Sequence, residues 1–241
     1  MLEFVTPRWP APPNIQALCT TRTGGISVGK YSALNLATHV GDDPTAVNAN
    51  RARLQTELPL PSAPRWLTQV HGTTLVNAAH VAPLAADAAY ADTRETVCAI
   101  LTADCLPILI CDTAGENVIA IHAGWRGLAE GIIARTFATL AMRNTRWLAW
   151  IGPGISAENY AVGDDVRAIF QALDPSYAQY FVAAGLRWQM DLQAIARAQL
   201  ASAGVEAIAH YDGCTFGEPT RFFSYRRDGE TGRMASLIWI T

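Results

Sequence analysis

A chain of 241 residues, half of them apolar and only 16% charged, is large enough to bury a sizeable core and too apolar to be disordered. Its 18 basic and 21 acidic residues leave a formal charge of −3 with no basic block or stripe, which argues against an electrostatic grip on nucleic acid. Five cysteines, an odd number without a CxxC pair, argue against a disulfide framework and leave buried fillers or one reactive or ligating thiol. No apolar run approaches the roughly 20 residues that span a bilayer. Glu3, Pro7 and Pro10 stand where a signal peptide needs an unbroken apolar stretch, so a cytoplasmic location without membrane partners is expected. Lys30 is the only lysine, which removes Schiff-base chemistry from nearly every position.

In chain order, Pro10–Pro13 reads as a surface connection. Asp42-Asp43-Pro44 is a good helix start, with an aspartate cap and a proline in the first turn, and predicts a helix over Thr45–Leu58. After a second Pro-rich connection, Pro59–Pro64, the segment Leu67–His71 reads as a strand. Val97–Leu101, Leu106–Cys111 and Val118–Ile121 are short, nearly continuous apolar runs, as strands buried on both faces are. Leu128–Met142 has apolar residues at helical spacing, and Trp147–Ile151 is a strand ended by Gly152-Pro153-Gly154. Helices over Val162–Leu173 and Leu192–Ala203 and strands over Ala207–Tyr211 and Ser236–Ile240 complete the pattern. There are no repeats, heptads or long linkers, so one mixed α+β (α/β) domain over residues 1–241 is expected.

Three places break the local rules, and such breaks tend to be functional. His71-Gly72 ends the first strand, and a glycine there lets a ligand approach closely; the plainer reading is a hairpin with a partly exposed histidine. Asp104-Cys105 interrupts what would be one long apolar strand. A carboxylate there is expensive unless paired or facing a cavity, and Pro107 cannot donate to a ladder. The plainer reading is a turn with Cys105 as a small apolar filler. His122-Ala-Gly-Trp-Arg126-Gly127 ends a strand in a histidine and puts an arginine at a helix N-terminus, a natural anion site; a glycine-rich turn with Trp125 in the core is the alternative.

His71, Cys105 and His122 are one thiolate and two imidazoles, all at ends or breaks of apolar runs. That donor set suits zinc with a fourth position left for water, although the spacing matches no zinc finger. His39, His80 and His210 compete as ligands but read as solvated or core histidines.

The motifs Thr21-Arg22-Thr-Gly24-Gly25 with Asn35, Gln69-Val-His71-Gly72, Thr102-Ala-Asp104-Cys105-Leu-Pro107, His122-Ala-Gly-Trp-Arg126-Gly127 and Phe222-Phe-Ser224-Tyr-Arg226-Arg227 resemble the YfiH-type family. That family is also labelled laccase-domain or polyphenol oxidase and is regarded as purine nucleoside-processing. The likeness runs from about Thr20 to Ile240. It implies a single domain of two mixed β-sheets flanked by helices and a zinc site of His71, Cys105 and His122. It also implies phosphorolysis of adenosine, inosine, guanosine and methylthioadenosine, and hydrolytic deamination of adenosine to inosine.

Within that reading, Asp104 is either a proton shuttle or a carboxylate orienting a ligand histidine. Arg22 and Arg126 are the best phosphate clamps, because arginine matches phosphate oxygens bidentately. Asn35, Gln69 and Arg226 are candidate contacts to base or sugar. Two other enzyme readings keep the metal. A hydrolase editing a serine-containing UDP-linked peptidoglycan precursor would use the same water and anion clamps. A copper polyphenol oxidase would use the intrinsic preference of imidazole and thiolate for Cu(II), but five histidines are few for a multicopper cluster. A zinc-stabilised binding module would need a fourth protein ligand. A monomer or a homodimer fits equally.

Overall fold

The computed structural model describes residues 1–80, 85–140 and 145–241. Its first half contains β1 (Phe4–Val5), β2 (Ile15–Thr20), α1 (Pro44–Glu57), β3 (Leu75–Asn77), β4 (Ala88–Ala91), β5 (Cys98–Thr102), β6 (Leu106–Asp112) and β7 (Val118–Ala123). Its second half adds α2 (Trp125–Ala129), α3 (Ile132–Leu140), β8 (Trp147–Ile151), β9 (Ala161–Val162), α4 (Asp164–Leu173), β10 (Phe181–Ala184) and β11 (Arg187–Met190). It closes with α5 (Leu192–Ser202), β12 (Val205–His210), α6 (Tyr225–Asp228) and β13 (Met234–Ile240).

The six-stranded sheet, ordered β12-β8-β6-β7-β4-β3, is mixed, with parallel pairs at its two edges. The four-stranded sheet, β1-β2-β13-β5, is antiparallel throughout, and so is a small β10-β11-β9 sheet. Alternation along the strands explains the layering. From β6, Leu109 and Cys111 meet Ile100, Met234 and Ile238 of the four-stranded sheet. Their neighbours Ile108 and Ile110 face the other way, onto Leu128, Ile132, Phe170 and Ile195 from the helices. The outer face of the four-stranded sheet packs Leu18, Leu101 and Leu237 against Leu34, Leu36 and Leu54. A strand buried on both faces has no polar side to show, which is why β6 and β7 read as continuous apolar runs.

Several local expectations change. The expected mixed α/β domain is present, but the described residues form three sheets where two mixed ones were expected, and of these the largest alone is mixed. The expected helix Leu128–Met142 starts earlier, at Trp125, and divides into α2 and α3 where Gly131 takes φ +80°; Ala141 and Met142 lie outside the described residues. Val162 is a strand residue, and α4 begins at Asp164. Leu67–His71 is not a strand: it touches its neighbours through an isolated bridge at Thr68. Gln69 accounts for this, since its side-chain amide takes both the N–H and the C=O of Leu101 at 2.8 Å, hydrogen bonds a strand would otherwise have supplied. No helix among the described residues is long and apolar enough to cross a membrane.

The loop between β2 and α1 is held by Asn50, a fully buried residue of α1. It donates to Ser27 Oγ, Ala33 O and Asn35 O and accepts from the Ile26 N–H. Asn50→Ala should therefore lower unfolding stability by about 3 kcal/mol in urea titrations, because it leaves several buried partners unpaired.

Candidate metal centre

Because β5 belongs to one sheet and β6 to the other, the chain must cross between them at Ala103-Asp104-Cys105. The corner is made by Asp104 at φ +90°, a left-handed conformation that aspartate tolerates better than most residues. Its carboxylate accepts from Thr215 Oγ1 and the Arg226 N–H, both at 2.6 Å, and its carbonyl accepts from the Ile155 N–H at 2.9 Å. These bonds hold the strained corner and set Cys105 immediately before β6, in the lining of a cleft.

The β6–β7 register sets Leu106 opposite Ala123 and Pro107 opposite His122, so the start of one strand and the end of the other lie side by side. His71 comes from the loop before β3, also in a left-handed conformation at φ +60°. Donor atoms of His71, Cys105 and His122 all lie within 4.8 Å of one another, and Cys105 Sγ is 3.9 Å from His71 Nε2. The two imidazole rings meet edge to face at 4.7 Å.

Sequence reasoning missed the residue that fixes this geometry. Asp87, fully buried, accepts from His122 Nδ1 at 2.7 Å and from the backbone N–H groups of Val70, His71 and Gly72 at 3.1, 3.0 and 2.7 Å. The carboxylate on a ligand histidine is therefore Asp87, and Asp104 holds the sheet-to-sheet corner instead. Holding the His122 proton on Nδ1 leaves Nε2 free to ligate.

Burial alone would push the Cys105 thiol up, but the neighbouring His122 and His71 rings bring it down to about 6. Burial would push His122 down, and the Cys105 thiolate and Asp87 raise it to about 9. Both shifts favour a thiolate beside a protonated imidazole, and a cation bound there would take the place of the His122 proton.

The three donors line a cleft of about 410 Å³. Arg126, Arg226, Gln69 and Asp104 from the expected set also line it, joined by His39, Trp125, Tyr160, Tyr225 and Arg233. Arg22 does not belong to its lining. Its guanidinium donates to Ser32 O and Pro219 O at 2.7 and 3.1 Å and lies over the Phe223 ring, tying loops together. Asn35 is fully buried and bonds to Ala37, Asp42 and the Arg233 N–H, so it supports the cleft from behind. His80 is exposed and His210 pairs with Asp212 at 3.0 Å, as solvated histidines do, whereas His39 stands on the cleft.

One thiolate and two imidazoles fit a borderline-soft divalent ion such as zinc or copper. A second observation supports the fit. A Cβ at Gly124 would lie 3.0 Å from both Cys105 Sγ and His71 Cδ2, so a side chain there would press on two of the three donors. Asp87→Asn should weaken metal affinity about 10- to 100-fold in chelator competition. Gly124→Ala should lower metal content after dialysis, with far-UV circular dichroism retained in both.

Comparison with known proteins agrees with this architecture. The chain is 45% identical to "Purine nucleoside phosphorylase YfiH" of Shigella flexneri over 100% of both chains. It is 43% identical to a Pseudomonas aeruginosa purine nucleoside phosphorylase, over 100% of this chain and 99% of that one. Among solved structures, a Neisseria meningitidis protein superposes with a TM-score of 0.93 at 48% identity, covering 98% of each chain. YfiH of Bacillus licheniformis gives 0.87 at 29%, covering 94% of this chain and 93% of that one. A family model described as multi-copper polyphenol oxidoreductase laccase matches residues 16–241, and the chain belongs to this YfiH-type laccase-domain family.

Proposed function

We propose that the chain is a zinc-dependent purine nucleoside phosphorylase, acting on adenosine, inosine, guanosine and methylthioadenosine, that also deaminates adenosine to inosine in the cytoplasm. The observation that carries this is the lining of the cleft. Around the His71–Cys105–His122 centre stand three arginines that form no ion pair among the described residues, together with Trp125, Tyr160 and Tyr225. Cations without counter-ions suit an anionic co-substrate, and aromatic faces suit a purine. The names of the relatives support the phosphorylase assignment.

In phosphorolysis a phosphate oxygen bonds to ribose C1′ as the C1′–N9 bond breaks. N9 keeps the electron pair, and the proton of the phosphate ends on the base. Positive charge grows on the sugar and negative charge on the base, so fixed guanidinium donors at the base edge favour departure. Arg226 is positioned for such a role by its Nη1 bond to Ala161 O at 2.7 Å and by its backbone bond to Asp104. Zinc, when bound, would supply a Lewis acid and an ionisable water for deamination. Oxidase chemistry on several coppers would need several donor clusters, and the described residues contain one.

Zinc-loaded protein incubated with adenosine should give adenine and ribose 1-phosphate only when phosphate is present, and inosine in both tubes, by chromatography. His71→Ala should lose both products. Wild type that is indistinguishable from His71→Ala with every nucleoside would overturn the reading and turn attention to serine-containing UDP-linked precursors.

A further inference from the structure

The three cleft arginines are not equivalent. Arg126 is exposed, lies over the Trp125 ring at 4.5 Å, and its guanidinium makes no hydrogen bond among the described residues. Arg226 is exposed, donates to Ala161 O and lies over Tyr160 at 4.8 Å. Arg233 is half-buried and fixed from three directions. Its Nη1 donates to Thr231 O and Gly232 O at 2.7 and 2.9 Å, and its backbone N–H donates to the buried Asn35 at 3.0 Å. Its Nε and Nη2 make no hydrogen bond among the described residues. A partly desolvated cation held in one place without a counter-ion is costly unless something anionic completes it.

The surroundings of Arg233 favour a small anion. Past His39, Tyr225 and Arg233 the cleft continues into a recess of about 390 Å³. The acid on that recess, Glu230, is already paired with Lys30 Nζ at 2.6 Å and with the Tyr31 hydroxyl, so its charge is neutralised away from Arg233. His39 lines the same recess as Arg233, and its pKa is lowered first by partial desolvation and then by the charges of Arg233 and Arg51. It is therefore a neutral ring able to donate one hydrogen bond. Burial lowers the pKa of Arg233, while the charges of Cys105 and Asp104 raise it, which sets the guanidinium in the field of the metal centre.

We propose that Arg233, with His39 and Tyr225, forms the subsite for the inorganic phosphate co-substrate, while the Arg126 and Arg226 side of the cleft receives the nucleoside. This rests on the phosphorylase reading. It places the nucleophile on the best-fixed guanidinium, whose free Nε and Nη2 edge can take two phosphate oxygens together. It also gives Asn35 its purpose, since that buried amide anchors the backbone of Arg233.

The test is steady-state kinetics on zinc-loaded Arg233→Gln and Arg233→Lys, with isothermal titration of inorganic phosphate in the absence of nucleoside. Arg233→Gln should raise KM for phosphate at least about tenfold with KM for adenosine within about twofold, and Arg233→Lys should fall between. The calorimetric phosphate signal of the wild type should vanish in Arg233→Gln. Should that variant fail to fold, His39→Ala, at an exposed position, should raise the phosphate KM by several-fold. An unchanged phosphate KM with a raised adenosine KM overturns the assignment. So does 5′-AMP displacing phosphate from the wild type, because the corner would then serve an ester phosphate. If the protein turns over no nucleoside, the phosphorylase reading falls, and the calorimetric comparison of wild type with Arg233→Gln still decides the anion subsite.

Discussion

One buried carboxylate joins the two halves of the metal centre. His122 belongs to a strand in the middle of the six-stranded sheet, and His71 belongs to an irregular loop that no ladder holds. Asp87 accepts from the His122 ring and from three consecutive backbone N–H groups around His71. Burial opposes its charge, but the His122 partner and the backbone donors keep its pKa below the usual carboxylate range. Removing so buried a carboxylate from water costs several kcal/mol unless hydrogen bonds replace the solvent, and four donors do so here. The same residue thereby fixes a ring tautomer and a loop path.

The third donor depends on topology. A chain that passes from an antiparallel sheet to a mixed one must turn at the boundary, and here the turn delivers its last residue to the start of β6, beside the end of β7. Cys105 lies there because Asp104 accepts a left-handed backbone and is tied to Thr215, Arg226 and Ile155. The tie to Arg226 matters beyond the corner. It links the placement of the thiolate to the start of α6, which carries Tyr225 and Arg226 into the same cleft. The candidate donor Cys105 and one wall of the cleft are therefore positioned by a shared set of hydrogen bonds.

Much of this was legible in the sequence, because the three residues that the fold brings together stand where an apolar pattern is interrupted. His71, Cys105 and His122 each follow or break such a run, and the core strands β6, β7 and β8 lie close to where their runs predict. Asp87 obeys the same rule, a lone carboxylate in Ala85-Ala86-Asp87-Ala88-Ala89, yet alanine runs do not announce a strand as β-branched ones do. For the same reason β4 went unread, as did the β10–β11 hairpin. The arginines were the least legible part. Arg22 beside two glycines has the local signature of an anion loop, and Arg233 has none. Only the folded chain shows that Ser32 and Pro219 carbonyls occupy the first and that the second faces the cleft with donors to spare.

The near-absence of lysine acquires a physical meaning at this site. Each cleft arginine lies over an aromatic ring: Arg126 on Trp125, Arg226 on Tyr160 and Arg233 on Tyr225, at 4.5, 4.8 and 5.9 Å. A planar guanidinium held near a ring can keep N–H donors for a further partner and loses little freedom when it binds. An ammonium on the same ring would be a hydrated point charge with no fixed edge to offer. The cations and the rings thus constrain one another, and the backbone bonds of Arg226 to Ala161 and of Arg233 to Thr231 and Gly232 fix two of the three pairs.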